Sequence, residues 1–180
     1  MTSDTDAALV QACLSGDRRA FDELVNRYEG PLYNAALRIT GSVEDAMDAT
    51  QSAFVNAYEK LETFNPKYRF FSWIYRITVN QALNLVDRRA RAYAITEEAA
   101  SPDRGPSEIM EEAEATSQLD RALYRLEPHY RTVIVLRHLE GLSYREIGEL
   151  LEIPEKTVKS RLFTARRRLR EILTESGFAP

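Results

Sequence analysis

Residues 143–170 read SYREIGELLEIPEKTVKSRLFTARRRLR, and their pattern decides the fold. Ser143 and Glu146 stand three apart, just ahead of Ile147, Leu150 and Leu151. That is the spacing of a capping box, in which the hydroxyl accepts from the third residue's N–H and the carboxylate reaches back to the cap. Glu152-Ile153-Pro154 breaks the helix, and a second helix is expected from about Glu155 to Leu173. At about 100° per residue, Val158, Leu162, Ala165, Leu169, Ile172 and Leu173 fall within about ±60° of one direction and form a buried stripe. Lys156, Lys159, Ser160, Phe163, Arg167 and Arg170 lie on the opposite half, with Arg166 at its edge. Gly148 is small enough to let two helices approach near the turn, so the segment reads as a helix-turn-helix.

Residues 156–170 carry seven basic side chains and no acidic one. On a helix whose other face is fixed by packing, such a run neutralises DNA phosphates, while its N-terminal side chains reach base edges in the major groove. The plainer alternative is a solvated surface helix. The cap, the tight turn and the small residue together favour DNA.

Upstream, Leu119, Leu123 and Leu126 mark one helix, and Pro128 opens another with Val133, Ile134, Leu136 and Leu139, ended by Gly141. Before them lies ITEEAASPDRGPSEIMEEAEATS, residues 95–117, with Pro102, Gly105 and Pro106 and a net charge of −6. A stretch so poor in large apolar residues cannot bury enough surface to offset its ordering entropy. We expect a flexible acidic linker there, with a helix start from about Ser107 as the alternative for its end. It divides the chain into residues 1–94 and 118–180.

The first part also has helical periodicity. Phe21, Leu24, Val25 and Tyr28 form one stripe, and Leu32, Ala36 and Ile39 follow Gly30-Pro31, where proline either kinks one helix or separates two. Ser42-Val-Glu-Asp45 resembles a capping box with Asp in the last place, ahead of a helix to about Glu62 carrying Ala46, Thr50, Ala53, Phe54, Ala57 and Leu61. A further helix is expected from near Ser72 to about Arg91. No segment alternates like a strand, so the fold class is all-α: two small helical domains joined by a linker.

Residues 63–91 read TFNPKYRFFSWIYRITVNQALNLVDRRAR. Phe64, Tyr68, Phe70, Phe71, Trp73 and Tyr75 fall within twelve residues, interleaved with Lys67, Arg69 and Arg76. Aromatics beside cations suit single-stranded nucleic acid, where stacking contributes about 1–3 kcal/mol per base. They equally suit a domain core, and the sequence leaves open which rings do which. On the helix that follows, Tyr75, Val79, Ala82 and Val86 share one face, and Asn80, Asn84, Arg88 and Arg91 share the other. Asparagine offers a base edge both a donor and an acceptor, although a solvated face would look the same.

The whole chain has 180 residues, 24 Lys+Arg, 28 Asp+Glu and a net charge of −4. An acidic total argues against nucleic-acid binding only if charge is spread evenly. Here it divides into −1 for residues 1–94, −6 for the linker and +3 for residues 118–180. The single cysteine, Cys13, cannot form an internal disulfide and is expected to be a small buried group in a reducing cytoplasm. No basic and apolar leader and no apolar window of about 18 residues is present, so neither a signal peptide nor membrane insertion is expected. Glu44, Asp45 and Asp48 sit in first turns, where acids favour the helix dipole rather than catalysis or metal binding. His129 and His138 lack ligand-spaced partners, and no phosphate loop or nucleophile motif occurs. Neither a metal, a cofactor nor an enzymatic activity is expected.

Three stretches carry a family resemblance: SVEDAMDATQSAFVNAYEKLETF (42–64), FFSWIYRITVNQALNLVDRRAR (70–91) and LSYREIGELLEIPEKTVKSRLFTARRRLR (142–170). In this order they resemble the extracytoplasmic-function (ECF) sigma factors of bacteria, small two-domain members of the sigma-70 family. The resemblance implies an alternative sigma factor that binds core RNA polymerase and directs promoter recognition, melting and transcription initiation. It implies polymerase contacts at Asp45, Asp48, Gln51, Phe54 and Asn56. It places recognition of the −10 element, read as single-stranded DNA, at Phe64, Lys67, Tyr68, Arg69, Trp73, Asn80, Asn84, Arg88 and Arg91. Duplex −35 recognition falls to Lys156, Lys159, Ser160, Arg161, Phe163, Arg166 and Arg167, with Thr164 where some relatives carry arginine. The linker would thread the polymerase's RNA channel. An anti-sigma factor is the further expected partner, and the free chain is expected to be a monomer. From the residues alone, an ordinary helix-turn-helix regulator that binds duplex DNA as a dimer, and a protein-binding adaptor, remain alternatives.

Overall fold

The computed structural model describes residues 2–96 and 118–177, and every regular element among them is helical. In the first unit, α1 spans Thr2–Leu14, α2 Arg18–Thr40, α3 Val43–Glu59 and α4 Phe70–Thr96, with a short 3₁₀ turn at Leu61–Thr63. In the second, α5 spans Gln118–Tyr124, α6 Pro128–Ile134, α7 Tyr144–Leu151 and α8 Glu155–Glu175. The segment expected as a linker falls mostly in 97–117, outside the described residues.

The first helix has no counterpart in the sequence reading. Its inward row runs through Asp6 and Val10, both buried, with Cys13 half-buried beside them. A carboxylate at a core position hides the apolar period. Asp6 is satisfied there: Arg27 donates to it at 2.6 Å and the Tyr28 hydroxyl at 2.5 Å. Burial, then the Asp6 carboxylate, pushes the Tyr28 phenol up to about 12.

Pro31 lies inside α2, so of the two alternatives the chain takes one helix. Asp17 caps its start by accepting from the Arg19 N–H at 3.0 Å. Gly41, at φ 70, ends it in the left-handed region, where its N–H reaches the Leu37 carbonyl at 2.8 Å. Ser42 caps α3 by accepting from the Asp45 N–H at 3.3 Å. The reciprocal half of that box is absent, because the Asp45 carboxylate turns to Arg89 on α4 at 3.2 Å. Buried Ala46, Ala49, Ala53 and Ala57 make one side of α3 smooth, which lets it lie close against α2 and α4. The helix itself stops at Glu59 rather than Glu62, and Leu61 is buried in the 3₁₀ turn.

In the second unit, Pro128 occupies the first turn of α6, where its missing N–H costs nothing. A π turn over Val135–Leu139 follows, with the Glu140 N–H reaching back to Val135 at 3.1 Å. Val133, Ile134, Leu136, Ile147, Val158, Leu162 and Ala165 form the core that holds α6, α7 and α8. Arg131 of α6 is buried against the end of α2 and joins the two units.

Candidate nucleic-acid interface

The helix pair α7–α8 is built as its sequence suggests. The Ser143 hydroxyl accepts from the Glu146 N–H at 3.2 Å, and the Glu146 carboxylate accepts from the Ser143 N–H at 2.8 Å. Those bonds hold the Glu146 carboxyl below its usual range. The chain then turns through Glu152 at φ 52, in the left-handed region that strains an L side chain. A Cβ on Gly148 would lie 2.8 Å from the Ile153 carbonyl oxygen, so only glycine fits this turn without a shift.

On α8, Val158, Leu162 and Ala165 are buried, whereas Phe163 is 72 % exposed among the cations. Lys156, Lys159, Ser160, Arg166 and Arg167 are exposed and Arg161 is half-buried, so the basic residues expected at a −35 site share an open surface. They are not all equally free. Lys159 pairs with Glu155 at 2.7 Å, which raises its pKa, and lies 5.8 Å over the Tyr144 ring. Arg166 donates from two nitrogens to His138 Nε2 at 3.2 and 3.1 Å. His138 is therefore neutral at that nitrogen, and burial followed by Arg166 lowers its pKa. Arg168 instead supports the fold: it pairs with Glu127 and lies 4.7 Å over the Tyr130 ring.

The aromatic stretch divides in two. Phe70 and Tyr75 are buried in the core. Phe64 is 9 % exposed and packs against Phe70 and Trp73 at 5.6 and 5.3 Å between ring centroids. It is therefore a wall of the site rather than a free stacking surface, because the start of α4 folds back over it. Tyr68 is 69 % exposed, Lys67 and Arg69 are exposed, and Trp73 is half-buried. The Asn65 side chain accepts from the Lys67 N–H at 3.0 Å and fixes the turn. Beside them lies a cavity of about 370 Å³, lined by Thr63, Phe64, Asn65, Tyr68, Ser72, Trp73 and Arg76, and by Glu149 of α7.

From this cavity a polar row runs along α4. Asn80, Asn84, Arg88 and Arg91 are exposed on it, and Ser72 and Arg76 extend it back to the cavity. Arg91 also bonds the Asp87 carbonyl of its own helix at 3.2 Å. Arg76, one of the cations interleaved with the aromatics, stands four before Asn80 and links the row to the cavity.

On α3, Asp48 and Gln51 are exposed, Asn56 is half-buried and bonds the Ser52 carbonyl at 2.8 Å, and Asp45 is tied to Arg89. Phe54 departs from its expected role as a contact residue. It is buried, with its ring edge-on to Phe21 at 6.4 Å, because its position falls on the alanine face of the helix. The exposed apolar side chains of α3 are Met47, Val55 and Tyr58, which share a row with Gln51 at helical spacing. That spacing was legible, but polar residues drew the sequence reading instead.

Among the described residues, no three His, Cys, Asp or Glu side chains gather as a metal site, and no helix is long and apolar enough to cross a membrane. His129 stacks on Tyr130 and lies 3.5 Å from Glu127, an ion-pair geometry only.

Residues 24–92 match the family model of Sigma-70 region 2, and residues 116–169 match Sigma-70, region 4. The ECF RNA polymerase sigma-E factor of Haemophilus influenzae is 36 % identical over 174 residues, covering 90 % of this chain and 92 % of that one. The chain belongs to the ECF sigma factors of the sigma-70 family. The ECF sigma factor SigW of Bacillus subtilis is similar too, at 31 % identity over 89 % of this chain and 92 % of that one. Among solved structures, CnrH in complex with the cytosolic domain of CnrY has a TM-score of 0.64 and 28 % identity, covering 95 % of this chain and 98 % of that one. The sigma factor RpoE of Bartonella quintana, in complex with the anti-sigma factor NepR, shares the fold with a TM-score of 0.67 at 22 % identity, covering 86 % of this chain and 96 % of that one. This sigma factor is thus an alternative sigma factor directing transcription initiation, within a family of non-enzymatic transcription regulators.

Proposed function

We propose that the two units divide promoter recognition between them. Residues 1–94 hold core polymerase through the exposed α3 row around Asp48 and Gln51 and read the −10 element as a single strand. Residues 118–180 read the −35 duplex through α8, using Lys156, Lys159, Ser160, Arg161, Phe163, Arg166 and Arg167. The acidic segment 95–117 spans the polymerase between them, where negative charge suits a channel built for RNA phosphates. An anti-sigma protein keeps the factor from polymerase until a signal arrives, and the free factor is a cytoplasmic monomer.

The observation that carries this reading is the aromatic cavity beside the Asn80–Asn84 row. Its volume of about 370 Å³ falls within the range of about 300–1,000 Å³ typical of small-ligand sites. Extruding a base from the stack costs a few kcal/mol. The Tyr68 and Trp73 rings offer stacking that offsets this, and Arg76 supplies charge for a phosphate. Asn80 and Asn84 then meet the next base edges. Asn80→Ala combined with Asn84→Ala is expected to leave polymerase binding intact while lowering open-complex yield or relaxing −10 preference. Permanganate footprinting with core polymerase measures it, and normal opening with unaltered base preference would refute the assignment.

A further inference from the structure

The end of α2 is capped by an arginine from the other unit. Arg131, 5 % exposed, donates from Nε and one Nη to the Ile39 carbonyl at 3.0 and 2.6 Å, and from that Nη to Thr40 at 3.3 Å. Its other Nη reaches the Tyr124 carbonyl at 3.3 Å. Among the described residues these partners are all backbone carbonyls. Two of them are the last acceptors of α2, where the helix carries partial negative charge. Burial lowers the guanidinium's pKa to about 10. Gly41 leaves it room, since a Cβ there would come within 3.3 Å of Nη1. This contact holds α7 across the first turns of α4. Glu140, Leu142, Glu146 and Leu150 face Phe71, Ser72, Tyr75 and Arg76, and Glu149 lines the aromatic cavity.

We propose that Arg131 latches the free factor closed, and that in this state Glu149 bars the aromatic cavity to a DNA strand. The proposal rests on reading that cavity as the −10 base site. A strand backbone passing Ser72 and Arg76 would meet the Glu146 and Glu149 carboxylates before any base could enter; Arg145 pairs with Glu149 at 3.4 Å, an exposed contact too weak to cancel its repulsion of phosphate. The latch is weak enough to open. Three of its four hydrogen bonds cross to α2 and are exchanged for bonds to water, and separation releases a charge that has no counter-ion among the described residues. The α8 face is not covered, as the exposure of Lys156 and Phe163 shows, so the latch gates strand reading and leaves duplex reading free.

The test uses the full chain carrying Cys13→Ser, Glu59→Cys and Thr174→Cys for spin labels, one on each unit. Pulsed electron resonance is expected to give one narrow distance, which broadens on Arg131→Met while helicity by circular dichroism is kept. Without the labels, Arg131→Met is expected to tighten binding of a random-sequence single-stranded DNA octamer by about tenfold, because the open fraction multiplies the apparent affinity, and Glu149→Gln by about tenfold as well, because it removes a charge that repels phosphate. A broad distance distribution in the unsubstituted latch overturns the closed state without any disruptive variant. Unchanged octamer binding by Glu149→Gln overturns the barrier, provided Tyr68→Ala in the same background weakens that binding. If Tyr68→Ala has no effect, the cavity's base-site reading fails, and with it the barrier, while the distance measurement still decides the latch.

Discussion

His138 and Arg166 share a hydrogen bond that exists in only one protonation state. Nε2 accepts from the guanidinium, so the imidazole must be neutral there. Burial, Arg166 and then Arg137 hold the His138 pKa below 6.5. A depressed folded-state pKa means that the neutral form is favoured in the fold. Its contribution to stability is complete above the unfolded value and is lost as pH falls through the lower folded one. Below that point His138 is protonated and Arg166 is released toward solvent on the exposed face of α8. An imidazole titration by NMR is expected to give a midpoint below 6.5, and a midpoint above 6.5 would contradict the contact. At this scale the sequence was legible where a residue's role is local. Gly148 in the turn and the shared exposed face of Asn80 and Asn84 on α4 could be read directly. Arg131 could not, because its partners lie 91 and 92 positions away, and Glu149 acquires meaning only when α7 meets α4.

Helices whose ends are written in local side chains were found with little error. Pro128 at the start of α6, Ser42 ahead of α3 and Ser143 ahead of α7 each mark a first turn. Ser143→Ala is expected to cost about 1 kcal/mol in urea unfolding, the usual worth of a cap. The Glu146 half of the box has a lowered pKa. Its support is therefore present above the ordinary carboxylate range and lost as pH falls through the folded value, so the variant's deficit should shrink in acid. Elements fixed by distant packing are less legible. The helix α4 begins at Phe70 rather than Ser72, where the buried Phe70 ring packs on Tyr28 and Phe64. The helix α1 depends on a carboxylate tied to α2. Asp6→Ala would leave Arg27 and Tyr28 without that acceptor and is expected to cost about 2–3 kcal/mol, read from the same unfolding curves. The Tyr28 phenol, raised to about 12, contributes its tie to the Asp6 carboxylate fully below its ordinary value of 10 while Asp6 is ionised, and loses it as pH rises through the folded value.

The whole molecule joins a near-neutral unit to a net-positive one through a segment at −6, for a total of −4. The free chain should therefore bind −35 duplex weakly, with polymerase supplying the remaining surface. Fluorescence anisotropy with and without core polymerase measures this, and tight specific binding by the chain alone would refute it. In the polymerase complex, Lys159→Ala is expected to flatten the salt dependence of promoter binding by a slope of about one, the share of a single phosphate contact. The two-unit organisation was legible because charge and proline mark the joint. The packing between the units was not, since it rests on a cation capping a helix end, and neither hydropathy nor spacing encodes such a pairing.

The row from Ser72 through Arg76, Asn80 and Asn84 to Arg88 also has a metric consequence. Each four-residue step along α4 advances about 6 Å and turns about 40° around the axis. Nucleotides stacked in a duplex strand are about 3.4 Å apart. A strand that takes one nucleotide per step is stretched to nearly twice its stacked spacing and made to wind with the helix surface. If this row reads the −10 strand as proposed, the bases would bind only after parting from their neighbours, and the spacing along α4 would discriminate against stacked DNA before any base edge is read.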